Sequence, residues 1–492
     1  MDLSLIEINW KVIFPQIILA VFGFLLLLLE AFLPKNKKSE FGSIRGVLGH
    51  LAWIGIGVSF LFCLNLYGSE LIAFKGMALA DNFALFFSFI FLFSSFLVIL
   101  LSLSYLKREE QVRGDYYALI LFATLGMILM ASSMDLIVIF LGLEIVSISL
   151  YILSGFKKKD LRSNEASMKF FLMGAFATGF LIYGIALIYG SLGTTNLEQI
   201  VFLVPFTETS LGGKDFLLYA GIGLLIVGFG FKIASVPFHM WMPDVFEGAP
   251  APIAGFISAG PKAAGFAVLL RVFLLAFSSI KPDWTLVFWI LSVLSMTTGN
   301  LLALWQTNLK RLLAYSSIAH AGYILIALVA GGKTAISGVL FYLSIYILMN
   351  LGAFAVIISM GSKEKEGTDL YKEYAGAGIR NPFLGVFMAI FMLSLAGFPP
   401  TAGFFAKFYI FSSAVKSGYL GLVIIAVINS LISVYYYLRV IVYMFMRAPA
   451  EEVKPVSIPI SLGLVIFLTG IGILAFGVLP QSLLNLAYNS IF

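Results

Sequence analysis

Residues 228–252 read GFGFKIASVPFHMWMPDVFEGAPAP. A strongly apolar run that begins near Phe216 meets Lys232 here, then Pro237, His239 and Pro243 in quick succession. A lysine at the centre of a membrane helix costs about 2.5–3.5 kcal/mol on insertion scales. Proline removes a backbone donor and clashes with the preceding turn. A span holding both is a broken helix with a charge at the break, which lipid tolerates only beside protein or a watery cavity.

The rest of the chain supports a membrane setting. Of its 492 residues 61% are hydrophobic and 11% charged, with a mean hydropathy of +1.02. No soluble domain of this length needs so much apolar surface. The net charge of +6 is modest, and no basic–aromatic patch of the kind nucleic acid needs is present. The single cysteine, Cys63, excludes an intrachain disulfide and a four-cysteine iron–sulfur or zinc site. The first apolar run, 12–33, is long enough to span, so no cleaved signal peptide is expected. Walker A, GxGxxG and CxxC motifs are missing, so any charge movement is expected to be driven from outside the chain or by a gradient.

Hydropathy predicts an all-α polytopic protein with about fourteen transmembrane helices: 12–33, 45–67, 80–106, 116–134, 135–156, 166–190, 215–241, 250–279, 284–305, 311–331, 334–360, 382–415, 417–446 and 457–480. The twelfth is overlong and is interrupted by Gly397, Pro399 and Pro400. Links after odd-numbered spans hold twenty Lys or Arg, including Arg45, Arg113, Lys158, Lys169 and Arg311; the opposite links hold six. The positive-inside rule then puts the odd-numbered links in the cytoplasm and both termini on the other side. Lys232, Lys262, Arg271, Lys407 and Arg439 are left over, inside spans.

A five-helix unit is expected twice. Broken span seven carries Lys232 and the next span Leu270–Arg271–Val272; broken span twelve carries Lys407 and the next Leu438–Arg439–Val440. An offset of five spans makes the two units enter the membrane from opposite sides, as in the inverted repeats of many transporters. The expected organisation is an N-terminal three-helix segment (1–115), a first repeat (116–280), a second, inverted repeat (281–447) and a last helix (448–492).

Five residues stand out as candidates for chemistry. Glu144 is the one acidic residue placed near mid-bilayer, in LGLEIVSISLY, and Lys232 is its natural counter-ion. Burial disfavours a charged amine and a nearby carboxylate favours it, so moving one partner would switch the proton on the other. Lys262, in SAGPKAAGF, and Lys407, in GFPPTAGFFAKFYIF, also lie deep in spans. Intramembrane ionisable groups mark ion and proton paths, although interfacial snorkelling and helix bridging compete as explanations. His320 could relay protons between Lys262 and Lys407 or simply pack, with Tyr315, Ser316, Ser317 and Tyr323 beside it. Arg271 and Arg439 are expected to be structural, since arginine hardly deprotonates. His239 is also expected to be structural, and Asp135, Asp244 and Glu247 to be interfacial acids near span ends.

LGLEIVSISLYILSGF, the 228–252 segment, QTNLKRLLAYSSIAHAGY, SLAGFPPTAGFFAKFY and YYYLRV resemble the antiporter-like membrane subunits of respiratory complex I, over about 115–447. That resemblance implies fourteen helices, two inverted five-helix repeats and a place in a membrane arm beside other antiporter-like and small subunits. Glu144 and Lys232 would be the family's ion pair, Lys262 the central relay, His320 part of the axis and Lys407 the terminal site. It further implies proton translocation coupled to NADH oxidation and quinone reduction, in a bacterial plasma membrane. No cofactor is expected in this chain: FMN, iron–sulfur clusters, NADH and quinone would be bound by partner subunits. A sodium/proton antiporter subunit, a hydrogenase-type or ferredoxin-driven relative and a structural spacer remain the alternatives.

Overall fold

A computed structural model describes residues 9–33, 41–210, 215–361, 373–448 and 457–492. The loop cations Lys35, Lys37, Lys38, Lys214, Lys363, Lys365, Lys372 and Lys454, used above for orientation, lie outside the described residues. Among the described residues a 3-10 turn, Trp10–Ile13, leads into two long helices, α1 (Phe14–Phe32) and α2 (Phe41–Leu66). A short antiparallel hairpin follows, β1 (Leu71–Ala73) and β2 (Ala78–Ala80), with Leu71 opposite Ala80. Then come α3 (Asn82–Arg108), α4 (Gly114–Ser132), α5 (Leu136–Ser154), α6 (Leu161–Leu192), α7 (Leu197–Ser210), α8 (Phe216–Ile233), α9 (Trp241–Gly248), α10 (Ala251–Ser258) and α11 (Gly260–Leu269). A π-helical segment, Leu270–Ala276, continues α11. The second half holds α12 (Lys281–Leu304), α13 (Leu309–Ala330), α14 (Gly332–Met360), α15 (Ala377–Arg380), α16 (Pro382–Ala396), α17 (Ala402–Lys416), α18 (Leu420–Met446), α19 (Ile460–Val478) and α20 (Pro480–Tyr488).

Among the described residues thirteen helices are long and apolar enough to cross a membrane, with α10 to Ala276 counted as one. The span expected at 382–415 is absent from that set because it is two helices of 15 residues each, α16 and α17. At 1.5 Å per residue each reaches about 22 Å, short of a hydrocarbon core of about 30 Å. The hairpin, α7 and α20 were not expected from hydropathy.

Helix starts at the membrane edges are fixed by short acceptor side chains. Asp81, Asp135, Asp160, Asp215 and Asn308 each accept backbone N–H groups in the first turn of α3, α5, α6, α8 and α13. Such caps satisfy donors that the helix itself leaves orphaned. Asp135 is thus a buried cap whose second oxygen accepts from Thr195.

The break in span seven is a compact turn. α8 ends on Ala234 in the left-handed region, φ 57° and ψ 45°. The carbonyls freed there are taken: Phe231 O accepts from Trp241 Nε1 at 3.1 Å, and Gly230 O from Ser235 Oγ at 3.2 Å. Val236 N donates to Ser295 Oγ at 2.9 Å. In span twelve, α16 ends on Gly397, φ 90°, a geometry that favours glycine. The structure places the two lysines differently: Lys232 precedes its turn, within α8, whereas Lys407 follows its turn, within α17. By their positions about the breaks they are not counterparts. Span eight is interrupted too. Ala259, at φ −100° and ψ −92°, separates α10 from α11, whose second residue, Pro261, lacks a donor for the turn before it. Lys262 follows immediately.

α13, α14 and the α10–α11 span form the interior, with 94% of the residues in the apolar stretch of each buried, whereas only 33% are buried in those of α1 and α6, which face outward. The ionisable residues of the next subsection cluster around that interior.

Candidate functional site

Glu144 and Ser147 lie about one turn apart on α5 and share a face. Glu144 Oε1 accepts from Thr178 Oγ1 of α6 at 2.8 Å. Lys232 Nζ donates to Ser147 Oγ at 2.5 Å and lies 6.0 Å from the Tyr151 ring centre. Among the described residues no ion pair within 4.0 Å joins Glu144 to Lys232. Each is held by a hydroxyl instead. A cavity of about 30 Å³ touches Ser147, Lys232, Trp241 and Pro261, the neighbour of Lys262. A space of that size, with polar partners, is large enough for a water.

Lys262, 1% exposed, donates to Ser317 O at 2.6 Å and to Ser317 Oγ. Its amine lies 5.7 Å from the Tyr346 ring centre. One residue back along α13, Ser316 Oγ bonds Tyr437 OH of α18. That hydroxyl also meets His320 Nε2 at 3.1 Å, while His320 Nδ1 meets Tyr342 OH of α14 at 2.5 Å. A neutral imidazole donates through one nitrogen and accepts at the other, and a tyrosine hydroxyl can do either. Both ring nitrogens are therefore occupied whichever tautomer is present, and a proton gained at one face can leave from the other.

Lys407 donates to Ala396 O at 2.8 Å and Ser430 Oγ at 2.9 Å, and lies 5.1 Å from the Tyr323 ring centre. The first of these contacts makes the lysine the partner of a carbonyl that the break in span twelve sets free. Lys407 also lines a cavity of about 740 Å³ between α17 and α18, walled largely by Phe398, Phe408, Val427 and Leu431. Tyr323 accepts from Asn300 Nδ2, and Asn300 Oδ1 accepts from Tyr436 OH, each at 2.9 Å.

The structure thus gathers Lys262, His320 and Lys407 around the α13–α14–α18 core and keeps Glu144 and Lys232 on its α5–α8 flank. Sequence reasoning missed Tyr342, Tyr437 and Ser430. The run Tyr435–Tyr436–Tyr437 held the signal, since at 100° per residue no single helix face presents all three. Tyr435 is 63% exposed whereas Tyr436 and Tyr437 are fully buried. Arg271, buried, clasps Asp81 through Nη2 at 2.6 and 2.8 Å, and Arg439 donates to Leu304 O and Gln306 O. Both arginines tie elements together. At the end that carries the odd-numbered links, Asp244 of α9 bridges Lys169 of α6 and Arg311 of α13, each at 2.8 Å, and Glu247 also takes Arg311. Burial alone would raise the Asp244 carboxyl, but Lys169 and Arg311 hold it below the usual carboxylate range.

Residues 133–433 match the family model described as NADH:quinone oxidoreductase/Mrp antiporter, TM. NADH-quinone oxidoreductase subunit N of Trichlorobacter lovleyi is 50% identical over 98% of this chain and 97% of its own length. The chain belongs to the subunit N family of NADH-quinone oxidoreductase. A further subunit N, from Herpetosiphon aurantiacus, is 43% identical over 99% of this chain and 98% of its own. A chain of respiratory complex I from Thermus thermophilus with bound aureothin superposes with a TM-score of 0.80 at 34% identity, covering 96% of this chain and 99% of that one. An Mrp complex chain from a Dietzia species reaches a TM-score of 0.83 at 18% identity, over 98% of this chain and 97% of that one. At that identity the Mrp likeness speaks for a shared fold alone. The match to subunit N relatives runs nearly end to end, so it takes in α1 to α4 and α19, which lie outside the family model.

Proposed function

We propose that this chain is a proton-translocating membrane subunit of an NADH-quinone oxidoreductase and that Glu144, Lys232, Lys262, His320 and Lys407 carry the proton. The single observation that supports the relay most strongly is the hydroxyl at each step. Ser147 holds Lys232, Ser317 holds Lys262, Tyr437 and Tyr342 hold His320, and Ser430 holds Lys407. Four ionisable groups, each resting on a group that can both donate and accept, form a path that can be re-protonated stepwise.

The proposed sequence begins when a charge change in a neighbouring membrane-arm subunit moves Glu144. Lys232, bonded to Ser147, is the nearer holder of the proton and passes it through the cavity beside Pro261 to Lys262. The Ser316, Tyr437 and His320 cluster carries it on to Lys407, beside the 740 Å³ cavity. Electron transfer takes place elsewhere in this reading: FMN, iron–sulfur clusters, NADH and quinone belong to partner subunits. The multi-pass chain then sits in a bacterial plasma membrane with its odd-numbered links in the cytoplasm and both termini outside.

The test is a gentle purification through a tag on this chain, an NADH–quinone reductase assay, and proton uptake into proteoliposomes. Wild-type enzyme should show both activities. Lys232→Ala should assemble and lose at least tenfold in coupled turnover, equivalent to about 1.4 kcal/mol on the limiting step. Wild-type pumping by an intact Lys232→Ala complex would overturn the relay. A preparation without flavin, iron or reductase activity would favour the antiporter reading, checked next by sodium-dependent proton exchange.

A further inference from the structure

Away from the relay, a cavity of about 560 Å³ opens between α1, α2, α4 and the link from α5 to α6. We propose that it binds the phosphate of an anionic phospholipid, for which phosphatidylglycerol serves as the probe.

Three cations from three parts of the chain line it: Arg45 of α2, Arg113 just before α4, and Lys158 of the α5–α6 link. Glu30 and Asp115 line it as well, leaving a net charge of +1. The acids do not saturate the cations. Glu30 Oε2 accepts from the backbone of Gly114, and its other oxygen lies 3.2 Å from Arg45 Nη2. Arg113 bonds Asp115 through Nη2. A guanidinium carries five N–H donors, so one carboxylate oxygen leaves most of them free. Arg45 Nε and Asp115 Oδ1 are buried without partners. The remaining guanidinium N–H groups of Arg45 and Arg113, residues that line the cavity, are the donors a phosphate oxygen can take.

The surroundings select a lipid over a free anion. Leu27 and Ala31 wall the cavity on the α1 side. From there Val21, Phe24 and Leu28 continue an exposed apolar face along the helix, at 56, 60 and 58% exposure. Acyl chains can follow that face while the head group stays among the cations. The cavity also lies at the end of the bundle that carries the odd-numbered, cation-rich links. Basic pockets between membrane helices at such an end hold anionic head groups.

The experiment uses the intact complex, purified through this chain and placed in phosphatidylcholine nanodiscs with graded phosphatidylglycerol. Lipid retained per complex is counted by native mass spectrometry. Lys158→Gln and Arg113→Gln should each weaken phosphatidylglycerol retention about fivefold, the effect of one cation near a membrane surface, and leave phosphatidylcholine unchanged. Lys333→Gln, at the opposite end, should change neither. Lys158 is exposed, so its variant folds even if Arg113→Gln does not. Equal retention by wild type and Lys158→Gln overturns the proposal, as does an equal loss in Lys333→Gln. Displacement of the retained lipid by excess inorganic phosphate would assign the cavity to the free anion and overturn it too.

Discussion

Tyr437 touches both His320 and Ser316 through one hydroxyl, so its oxygen is the narrowest point of the proposed relay. Tyr437→Phe keeps the ring in its packing and deletes only that oxygen, leaving two buried polar groups short of a partner at about 1–3 kcal/mol in all. Assembly should survive, and coupled proton transport should fall about tenfold while quinone reduction in uncoupled membranes changes little. Unchanged pumping in Tyr437→Phe would remove the tyrosine from the path. At this scale the sequence was half legible. Lys232, Lys262, Lys407, Glu144 and His320 stood out because charge in an apolar run is costly and so calls for a reason. Tyr342 and Ser430 gave no such signal, because hydroxyls cost little in a helix and occur wherever helices pack.

The helices that carry these residues depend on close backbone contact. A Cβ on Gly142 would stand 2.8 Å from Gly126 O, and one on Gly126 would stand 2.6 Å from Gly142 O, so α4 and α5 meet backbone to backbone. Gly142 lies just ahead of Glu144 on α5. Gly142→Leu should push the two helices apart at a cost of about 1–3 kcal/mol and shift Glu144 from Thr178. The expected result is a lower melting temperature of the complex together with reduced pumping; a stable, fully pumping variant would show that this contact does not set the position of Glu144. Proline made the breaks in spans seven and twelve readable, whereas Gly260–Pro261 sits within a run so apolar that span eight read as continuous. The paired placement of Lys232 and Lys407 was also misjudged. One precedes its turn and the other follows it, an order the prolines already marked, with Lys232 ahead of Pro237 and Lys407 behind Pro399 and Pro400.

For the molecule as a whole, hydropathy made the spans legible apart from the broken twelfth, thirteen long apolar helices standing among the described residues against fourteen expected, while the side-chain ties between distant helices lay beyond it. Asp244 of α9 is one such tie, since it reaches Lys169 of α6 and Arg311 of α13. Its folded carboxyl titrates below its ordinary value of 3.8. A depressed carboxylate contributes stability above its unfolded value and loses it as pH falls through the folded one. The melting temperature of the complex should therefore exceed that of Asp244→Asn by a constant margin from about pH 5 upward, and the margin should close in more acid solution. High salt should narrow it as well, because these side chains are partly exposed and screened. A margin that grew on acidification would mean that Asp244 is stabilised protonated, and the tie between α9 and α13 would then rest on Glu247 and Arg311 alone.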